Sequence, residues 1–246
     1  MSLTFIKPQE QPKHDLTVYP KKLNPLPRGP FDQYKSLTWH EVIETLAPGY
    51  SPLEMHNKDY LPYFTLGLLS VGQLTDYASK MLSAKAGHKV TEGRARCINC
   101  CRGPFNLLVF DIDGVTANDF ALCKQRLDGC GVDCLTYSSF HHGSAEKPGV
   151  RFRLIIRLAH ALNVAQYQKA HEEVAARLLS EVRHGLDKSS RLPWQQQALR
   201  ATRQDLAKYA FKYCRTDGIC LSVDALLTES EKSYQPSVPR AQVRPP

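Results

Sequence analysis

The sequence predicts an α+β or mixed α/β fold, in which strands and helices alternate through the middle of the chain. An apolar run at 105–110 is typical of a buried strand, and residues 151–158 alternate between polar and apolar side chains as a two-faced strand does. Residues 164–183 repeat apolar side chains at helical spacing. With 246 residues, 42% of them apolar, the chain is long enough to bury a core.

The proline pattern divides the chain into three parts. Residues 1–36 are rich in proline and lack periodicity, which predicts an extended N-terminal arm rather than a packed unit. Residues 37–228 contain the periodic segments and are expected to form one domain. Residues 229–246 are polar and contain proline, so we expect them to form a flexible tail.

Helix and strand signals follow one another within that domain. Thr38 is a good N-cap for a first helix, and Glu41 completes a capping box. Thr116 or Asn118 caps a later helix, which a pair of glycines ends. In chain order, the predicted elements are a helix over 39–46, a helix over 73–84, a strand over 105–110, a helix from 116 or 118 to 127, a strand over 132–139, a strand over 151–158, a helix over 164–183 and a helix over 201–214.

The chain is basic, with a formal net charge of +8 and a pI near 9.1. Such a charge permits a polyanionic partner such as nucleic acid, but it is not diagnostic of one. No apolar run approaches the roughly 18 residues of a membrane span, and the polar N-terminus lacks the apolar region of a secretory signal. We therefore expect a soluble, cytoplasmic protein without a membrane partner.

The cysteines, 8 in number, leave a zinc site open. Cys97 and Cys100 form one pair with zinc-like spacing, and Cys130 and Cys134 form another. Alternatively, the cysteines are buried, reduced thiols that pack as small hydrophobic side chains. We favour this second interpretation because Cys123 and Cys134 fall inside predicted regular elements.

Three aspartates are candidate ligands of divalent metal ions. Asp111 and Asp113 follow the apolar strand at positions i and i+2, so both carboxylates point to one face while Ile112 packs behind them. Two carboxylates this close repel each other unless a cation such as Mg²⁺ or Mn²⁺ neutralises them. Asp187 would supply the third carboxylate that a two-metal site for nucleotidyl transfer needs. Alternatively, these residues are solvated aspartates of turns and caps.

Basic side chains follow in the next part of the chain. The third predicted strand places Arg151, Arg153 and Arg157 on one face, where they need water or anions as partners, such as polyphosphate and the Asp111–Asp113 pair. Alternatively, this face belongs to an exposed edge strand. His141 and His142 lie in the connection before that strand, where an imidazole could bind a phosphate oxygen or transfer a proton. We favour His142 for this role and keep His141 open.

Three segments resemble the motifs of the archaeo-eukaryotic primase superfamily, in the family's order, and most closely those of phage- and plasmid-type primase-polymerases. Residues 111–113 after an apolar strand are similar to the first motif, a metal-binding D-x-D. Residues 136–142, running on to 151–153, are similar to the second, whose histidine contacts the nucleotide phosphates. Residues 187–193 resemble the third, a metal-binding acid followed by a nucleotide-contacting arginine. The resemblance extends more weakly over 36–215.

The resemblance implies a two-lobed primase-polymerase catalytic core, with an RRM-like antiparallel or mixed sheet and flanking helices. It implies a template-dependent nucleotidyltransferase, a DNA primase or polymerase, with two Mg²⁺ or Mn²⁺ ions held by Asp111, Asp113 and Asp187. His142 would join them as a catalytic residue. The residues expected to contact the nucleotide are Ser139, His142, Lys147, Arg151, Arg153 and Arg191. The implied partners are single-stranded DNA template, primer, NTP or dNTP, and a separately encoded helicase or replication protein, in a bacterial, phage or plasmid system.

Two other functions are open from the sequence. Residues 107–115 also resemble the first motif of haloacid-dehalogenase-type phosphatases, in which Asp111 would be the phosphoryl-accepting nucleophile and Asp113 the general acid. That family needs a later pair of acidic residues after an apolar strand, preceded by a lysine, and no adjacent Asp-Asp and no Gly-Asp-x3-Asp follows in this sequence. A non-catalytic, RRM-like nucleic-acid-binding module would instead need exposed aromatic side chains on its central strands. Its candidate residues are Tyr137, Phe140 and Phe152.

Overall fold

The computed structural model describes residues 3–7, 13–19, 33–49 and 52–226, which form an α+β arrangement with mixed and antiparallel sheets. The helices are α1 (Trp39–Leu46), α2 (Asp76–Ala86), α3 (Ala117–Cys130) and α4 (Val164–Arg177). The strands are β1 (Thr4–Ile6), β2 (His14–Tyr19), β3 (Gln33–Leu37), β4 (Leu53–Glu54), β5 (Tyr63–Leu66), β6 (Leu68–Leu69), β7 (Val71–Gln73), β8 (Glu92–Arg94), β9 (Cys101–Arg102), β10 (Phe105–Val115), β11 (Cys134–Ser138), β12 (Val150–Leu162), β13 (Gln197–Ala198), β14 (Ala201–Thr202), β15 (Lys212–Arg215) and β16 (Cys220–Ser222). Short 3₁₀ helices span Lys58–Tyr60, Arg183–Gly185, Lys188–Arg191, Gln204–Tyr209 and Asp224–Leu226. None of the helices in these ranges is long and apolar enough to cross a lipid bilayer.

The largest sheet has the strand order β1-β16-β12-β11-β15, and β10 also pairs with β12. β12 is antiparallel to β10 and β11 but parallel to β16, so the sheet is mixed. β10 and β12 carry nearly continuous apolar runs because both of their faces are covered. α3 and α4 cover one face, where the Phe120 ring lies 4.8 Å from that of Phe152 and the His171 ring stacks 4.2 Å from that of Phe110.

A second sheet, with the order β13-β5-β2-β3, lies against the other face. Tyr137 of β11 and Arg153 of β12 both donate to the carbonyl oxygen of Ala198 in β13. The central strand β2 is well buried, with Leu16 and Tyr19 inaccessible to solvent. The face of the main sheet that carries Arg153 is therefore the one turned toward the second sheet.

The prediction of an extended arm over 1–36 is wrong for its described part. β1 pairs with β16 of the main sheet, and β2 pairs on both sides, with β3 and β5. β3 also crosses the boundary predicted at residue 37. Pro12 and Pro20 flank β2, whose 6 residues are too few to give a clear period between two such breaks. The tail predicted at 229–246 lies outside the described residues.

Most of the elements predicted for the domain are present, with shifted ends. Thr38 caps α1 in a capping box with Glu41, as predicted, and Thr116 caps α3. α4 is shorter than predicted. The helix predicted over 201–214 is wrong, because β14, a 3₁₀ helix and β15 occupy this segment. In the second half of this segment, aromatic side chains occur at every other residue. This is the period of a β-strand, and β15 pairs with β11.

A small cluster of buried side chains lies apart from the main core, beside α2 and the antiparallel strands β7 and β8. It includes Cys97 and Cys100, whose Sγ atoms are 3.4 Å apart. Cys134 belongs instead to the main core, and Cys130 packs against that core. The four cysteines that zinc-like spacing groups together are therefore divided between two clusters.

Candidate active site

The backbone of Asp187 lies beside Asp111, near the end of β10 that also carries Asp113. Asp111 and Asp113 lie two positions apart on this strand and so share a face. Leu186 forms an antiparallel bridge with Ile112, and the backbone N–H of Asp187 donates to the carbonyl oxygen of Asp111 at 2.8 Å. Directly opposed residues of an antiparallel pair project to the same side. This register places Asp187 on the side of the other two aspartates, although it is distant from them in sequence.

The segment that carries Asp187 is fixed at both of its ends. Asp187 caps the 3₁₀ helix Lys188–Arg191, since its two carboxylate oxygens accept from the N–H and the hydroxyl of Ser189, each at 2.8 Å. Before it, Gly185 passes so close to β10 that a Cβ at this position would lie 2.5 Å from the carbonyl oxygen of Asp113. Only glycine allows the segment to approach the strand this closely.

Two arginines of β12 neutralise the aspartates of β10. Arg153 is directly opposite Asp111 in the strand register, and its guanidinium lies 2.9 Å from Asp111 Oδ2. Arg151 pairs with Asp113 Oδ1, also at 2.9 Å. Burial alone would lower the pKa of Arg153, but the Asp111 carboxylate and Tyr137 together outweigh burial and raise the pKa. The Arg153 pair is therefore buried and firmly held, whereas the side chain of Asp113 is 48% exposed.

Arg157, on the same face of β12, does not share this site. Its guanidinium pairs at 2.9 Å with Asp133, and both side chains are buried. The other Asp133 oxygen accepts from the Gly218 N–H. The expectation that polyphosphate or the Asp111–Asp113 pair is the partner of these arginines is wrong for Arg157, because the buried carboxylate of Asp133 already neutralises it.

The donor chemistry of the three aspartates fits a divalent cation. Carboxylate oxygens are the ligands that Mg²⁺ and Mn²⁺ prefer. Oδ1 of Asp111 is buried and accepts no hydrogen bond from any described residue, so a cation would supply the partner that this oxygen lacks. Within the described ranges, however, no group of three or more His, Cys, Asp or Glu side chains is already spaced to hold a metal ion. Arg153 contacts Oδ2 of Asp111, Arg151 contacts Oδ1 of Asp113, and Ser189 contacts both carboxylate oxygens of Asp187.

His141 and His142 have different surroundings. Nδ1 of His142 accepts from the Arg151 N–H at 3.3 Å, and its ring packs edge-on against Phe211, so this histidine braces the start of β12. Nδ1 of His141 is buried and has no hydrogen-bond partner among the described residues. Burial, and then the charges of neighbouring cations, lower the pKa of His141 to about 4. His141 is therefore neutral at pH 7, and its buried Nδ1 lacks the hydrogen-bond partner that Nδ1 of His142 has.

Cations from four separate segments surround His141. Those whose charge lowers its pKa are Lys147, Lys58, Arg203 and Arg151. Burial, and then the charge of Arg153, lower the pKa of the Lys58 ammonium. The nearby carboxylates of Asp111 and Asp113 act in the opposite direction but do not outweigh these effects. Sequence reasoning missed Lys58 and Arg203, because no local pattern links their loops to β10 and β12. The aspartates are thus bordered by a basic patch that a polyphosphate would complement.

The remaining residues predicted to contact the nucleotide are divided. Lys147 belongs to the basic patch, and its carbonyl oxygen accepts from Arg151 Nε at 3.1 Å. Ser139 lies at the start of the histidine turn, where its N–H donates to the Arg151 carbonyl. Arg191 is not brought to the aspartates. It pairs at 3.0 Å with Glu172 of α4, the helix that covers the opposite face of β10, because the 3₁₀ helix after Asp187 carries it there.

The three aromatic side chains that the sequence suggested for an RRM-like binding module are buried. Tyr137, Phe140 and Phe152 have exposures of 0, 5 and 1%, respectively. Stacking on bases requires an open ring face. The sheet therefore offers none of the three stacking positions that the sequence suggested.

Comparisons with known proteins do not place the chain in a family. No model of a protein family, no curated protein and no solved structure matched it. The functional argument therefore depends on the geometry of the residues described above.

Proposed function

We propose that the chain is a template-dependent nucleotidyltransferase, a DNA primase or polymerase, that uses two Mg²⁺ or Mn²⁺ ions. The observation that carries this proposal is the hydrogen bond from the Asp187 N–H to the Asp111 carbonyl, which brings a third carboxylate to the Asp111–Asp113 pair. Three carboxylates from two separate segments leave about one positive charge of two divalent ions for the substrate phosphates to offset, whereas two carboxylates leave about two. The two sheets would form the two lobes of the catalytic core.

In this function, Asp111, Asp113 and Asp187 would hold the ions, which neutralise developing charge and favour ionisation of the primer 3′-hydroxyl. The basic patch would receive the triphosphate. Lys58 and Lys147 would supply compact positive charges for it, and the neutral ring of His141 lies near them.

Arg153 and Arg151 would have different roles in this site. Arg153 is buried and also bonds the Ala198 carbonyl, so it acts as a positioning residue that sets the orientation of the Asp111 carboxylate. Arg151 pairs with an exposed carboxylate and can turn to a phosphate oxygen, which is a stronger bidentate partner. Single-stranded template, primer, and a separately encoded helicase or replication protein are the partners that this function requires.

The phosphatase alternative has less support. That function needs a later Asp-Asp or Gly-Asp-x3-Asp pair, which does not follow in this sequence. That mechanism also leaves the approach of Asp187 to this site without a role. The binding-module alternative has even less support, because its aromatic candidates are buried.

The test is polymer synthesis by a variant that should keep its fold. Asp187→Asn preserves an N-cap acceptor for the Ser189 N–H but removes the charge, so stability should change little. With labelled NTPs or dNTPs, Mn²⁺ or Mg²⁺ and single-stranded template with or without primer, the wild type should make product. Asp187→Asn should lose roughly a hundredfold or more of this activity, because a charge that binds metal is gone.

Asp224→Asn is the matched control, since Asp224 also accepts from a serine hydroxyl at 2.8 Å and begins a 3₁₀ helix remote from Asp187 in sequence. This control should retain full activity. Equal activity of both variants would remove Asp187 from the site. Hydrolysis of a generic phosphomonoester by wild type, without polymer, would favour the phosphatase.

A further inference from the structure

A charged cavity lies on the α4 side of the segment that carries Asp187. Its volume is about 340 Å³, and its wall includes His171 and Glu172 of α4 together with Leu186. Leu186 is the bridge partner of Ile112, whose side chain points away from the aspartates and toward α4. The cavity is therefore separated from the aspartates by the strand-like segment itself.

Three cations line this cavity, and two of them are uncompensated. Arg191 is neutralised by Glu172 at 3.0 Å. Arg183 and Lys188 also line the wall, and no carboxylate of the described residues lies within ion-pair distance of either. Burial lowers the pKa of His171 to about 4, so its ring adds no charge at pH 7. The cavity thus has an excess of positive charge, which attracts anions.

We propose that this cavity binds a small phosphorylated ligand of the nucleotide class. Arg183 and Lys188 provide the donors that a phosphate group requires, and the bidentate fork of arginine suits its oxygens. The volume of about 340 Å³ exceeds what one phosphate group fills and lies in the range of small-ligand sites. Ala175 and Leu186 supply an apolar wall for a sugar or base.

This site is distinct from the proposed catalytic centre and does not depend on it. Its donors, Arg183 and Lys188, follow α4, whereas the basic patch beside the aspartates is built from other segments. The two sites nevertheless share the segment around Asp187, because the flanking residues Leu186 and Lys188 line the cavity. A ligand that contacts both flanking residues would restrain the backbone of that aspartate.

The experiment is equilibrium dialysis of radiolabelled ATP against the full chain, with EDTA present so that no metal ion can support binding at the aspartates. Lys188→Glu should weaken ATP binding at least about tenfold, because an attractive charge becomes repulsive. Lys80→Glu makes the same change in net charge on α2, away from the residues that line this cavity. It should bind ATP as the wild type does. Arg183→Glu repeats the test at a second position.

Arg151→Ala separates the two sites, since it alters the basic patch beside the aspartates but not the cavity. It should retain ATP binding under these conditions. The proposal is overturned if Lys188→Glu and Arg183→Glu, both folded by circular dichroism, bind as Lys80→Glu does. It is also overturned if Arg151→Ala alone abolishes binding. If the wild type makes no polymer but still binds ATP in a way that depends on Lys188, only the proposed catalytic function is contradicted.

Discussion

The buried Arg153–Asp111 pair should make a large, measurable contribution to stability. Removing one partner of a buried ion pair typically costs about 3–5 kcal/mol, because the other charge stays buried without compensation. The Arg153 side chain is 6% exposed and that of Asp111 is 21% exposed, so water relieves part of the penalty on the aspartate. We therefore expect Arg153→Met to lower the free energy of unfolding by about 2–3 kcal/mol more when residue 111 is Asp than when it is Asn.

Urea denaturation of the wild type, Arg153→Met, Asp111→Asn and the double variant measures this coupling. Arg203 and Asp205 provide a matched control cycle, because they form a well-aligned pair at 2.8 Å whose side chains are 33% and 60% exposed. Solvent screening should limit the coupling of that exposed pair to below about 1 kcal/mol. Equal couplings in the two cycles would refute the claim that burial makes the Arg153 pair different.

Two further predictions concern pH and backbone packing. Burial lowers the pKa of His171 from 6.5 to about 4, so the unfolded chain binds this proton first. The free energy of unfolding should therefore fall as the pH drops from 6.5 toward 4, and His171→Asn should flatten this slope in urea titrations; an unchanged slope would contradict the assignment. Gly149→Ala should lower stability by about 2 kcal/mol or more, since its φ is +86° and a Cβ would lie 2.8 Å from the Gly114 backbone. Gly87→Ala, with φ +72° and open space, should cost only about 1 kcal/mol, and equal losses in thermal unfolding would show that the close contact is unimportant.

Local periodicity was sufficient to predict the elements that carry the aspartate pair and its arginines. A spacing of two places Asp111 and Asp113 on one face of a strand wherever that strand runs. The same rule groups Arg151 with Arg153. Thr38 with its capping box likewise fixes a helix start from a few neighbouring residues, so the structure has the helix that the sequence predicts.

Features that depend on contacts distant in sequence could not be predicted in this way. Lys58 lies near the aspartates on a short 3₁₀ helix whose sequence has no repeating pattern. β2 is too short to show a period between its flanking prolines. The environment of His141 differs from that of His142 only because of which neighbours each ring meets. Arg191 follows Asp187 closely in sequence, yet a short 3₁₀ helix is enough to carry it to the other side of the segment.

The two arginines that face the aspartates illustrate how neighbouring positions on one strand face acquire different chemistry. The Arg153 guanidinium is buried away from water and contacts Asp111 and the Ala198 carbonyl. Any movement would therefore leave a buried charge unpaired. Arg151 shares a pair with a carboxylate that is 48% exposed, and water can replace either partner at little cost. Only Arg151 can therefore exchange its carboxylate for a phosphate as substrate arrives. Under the proposed function, that exchange would release the Asp113 carboxylate for a metal ion at the moment when the triphosphate binds, so nucleotide and metal should each strengthen the binding of the other.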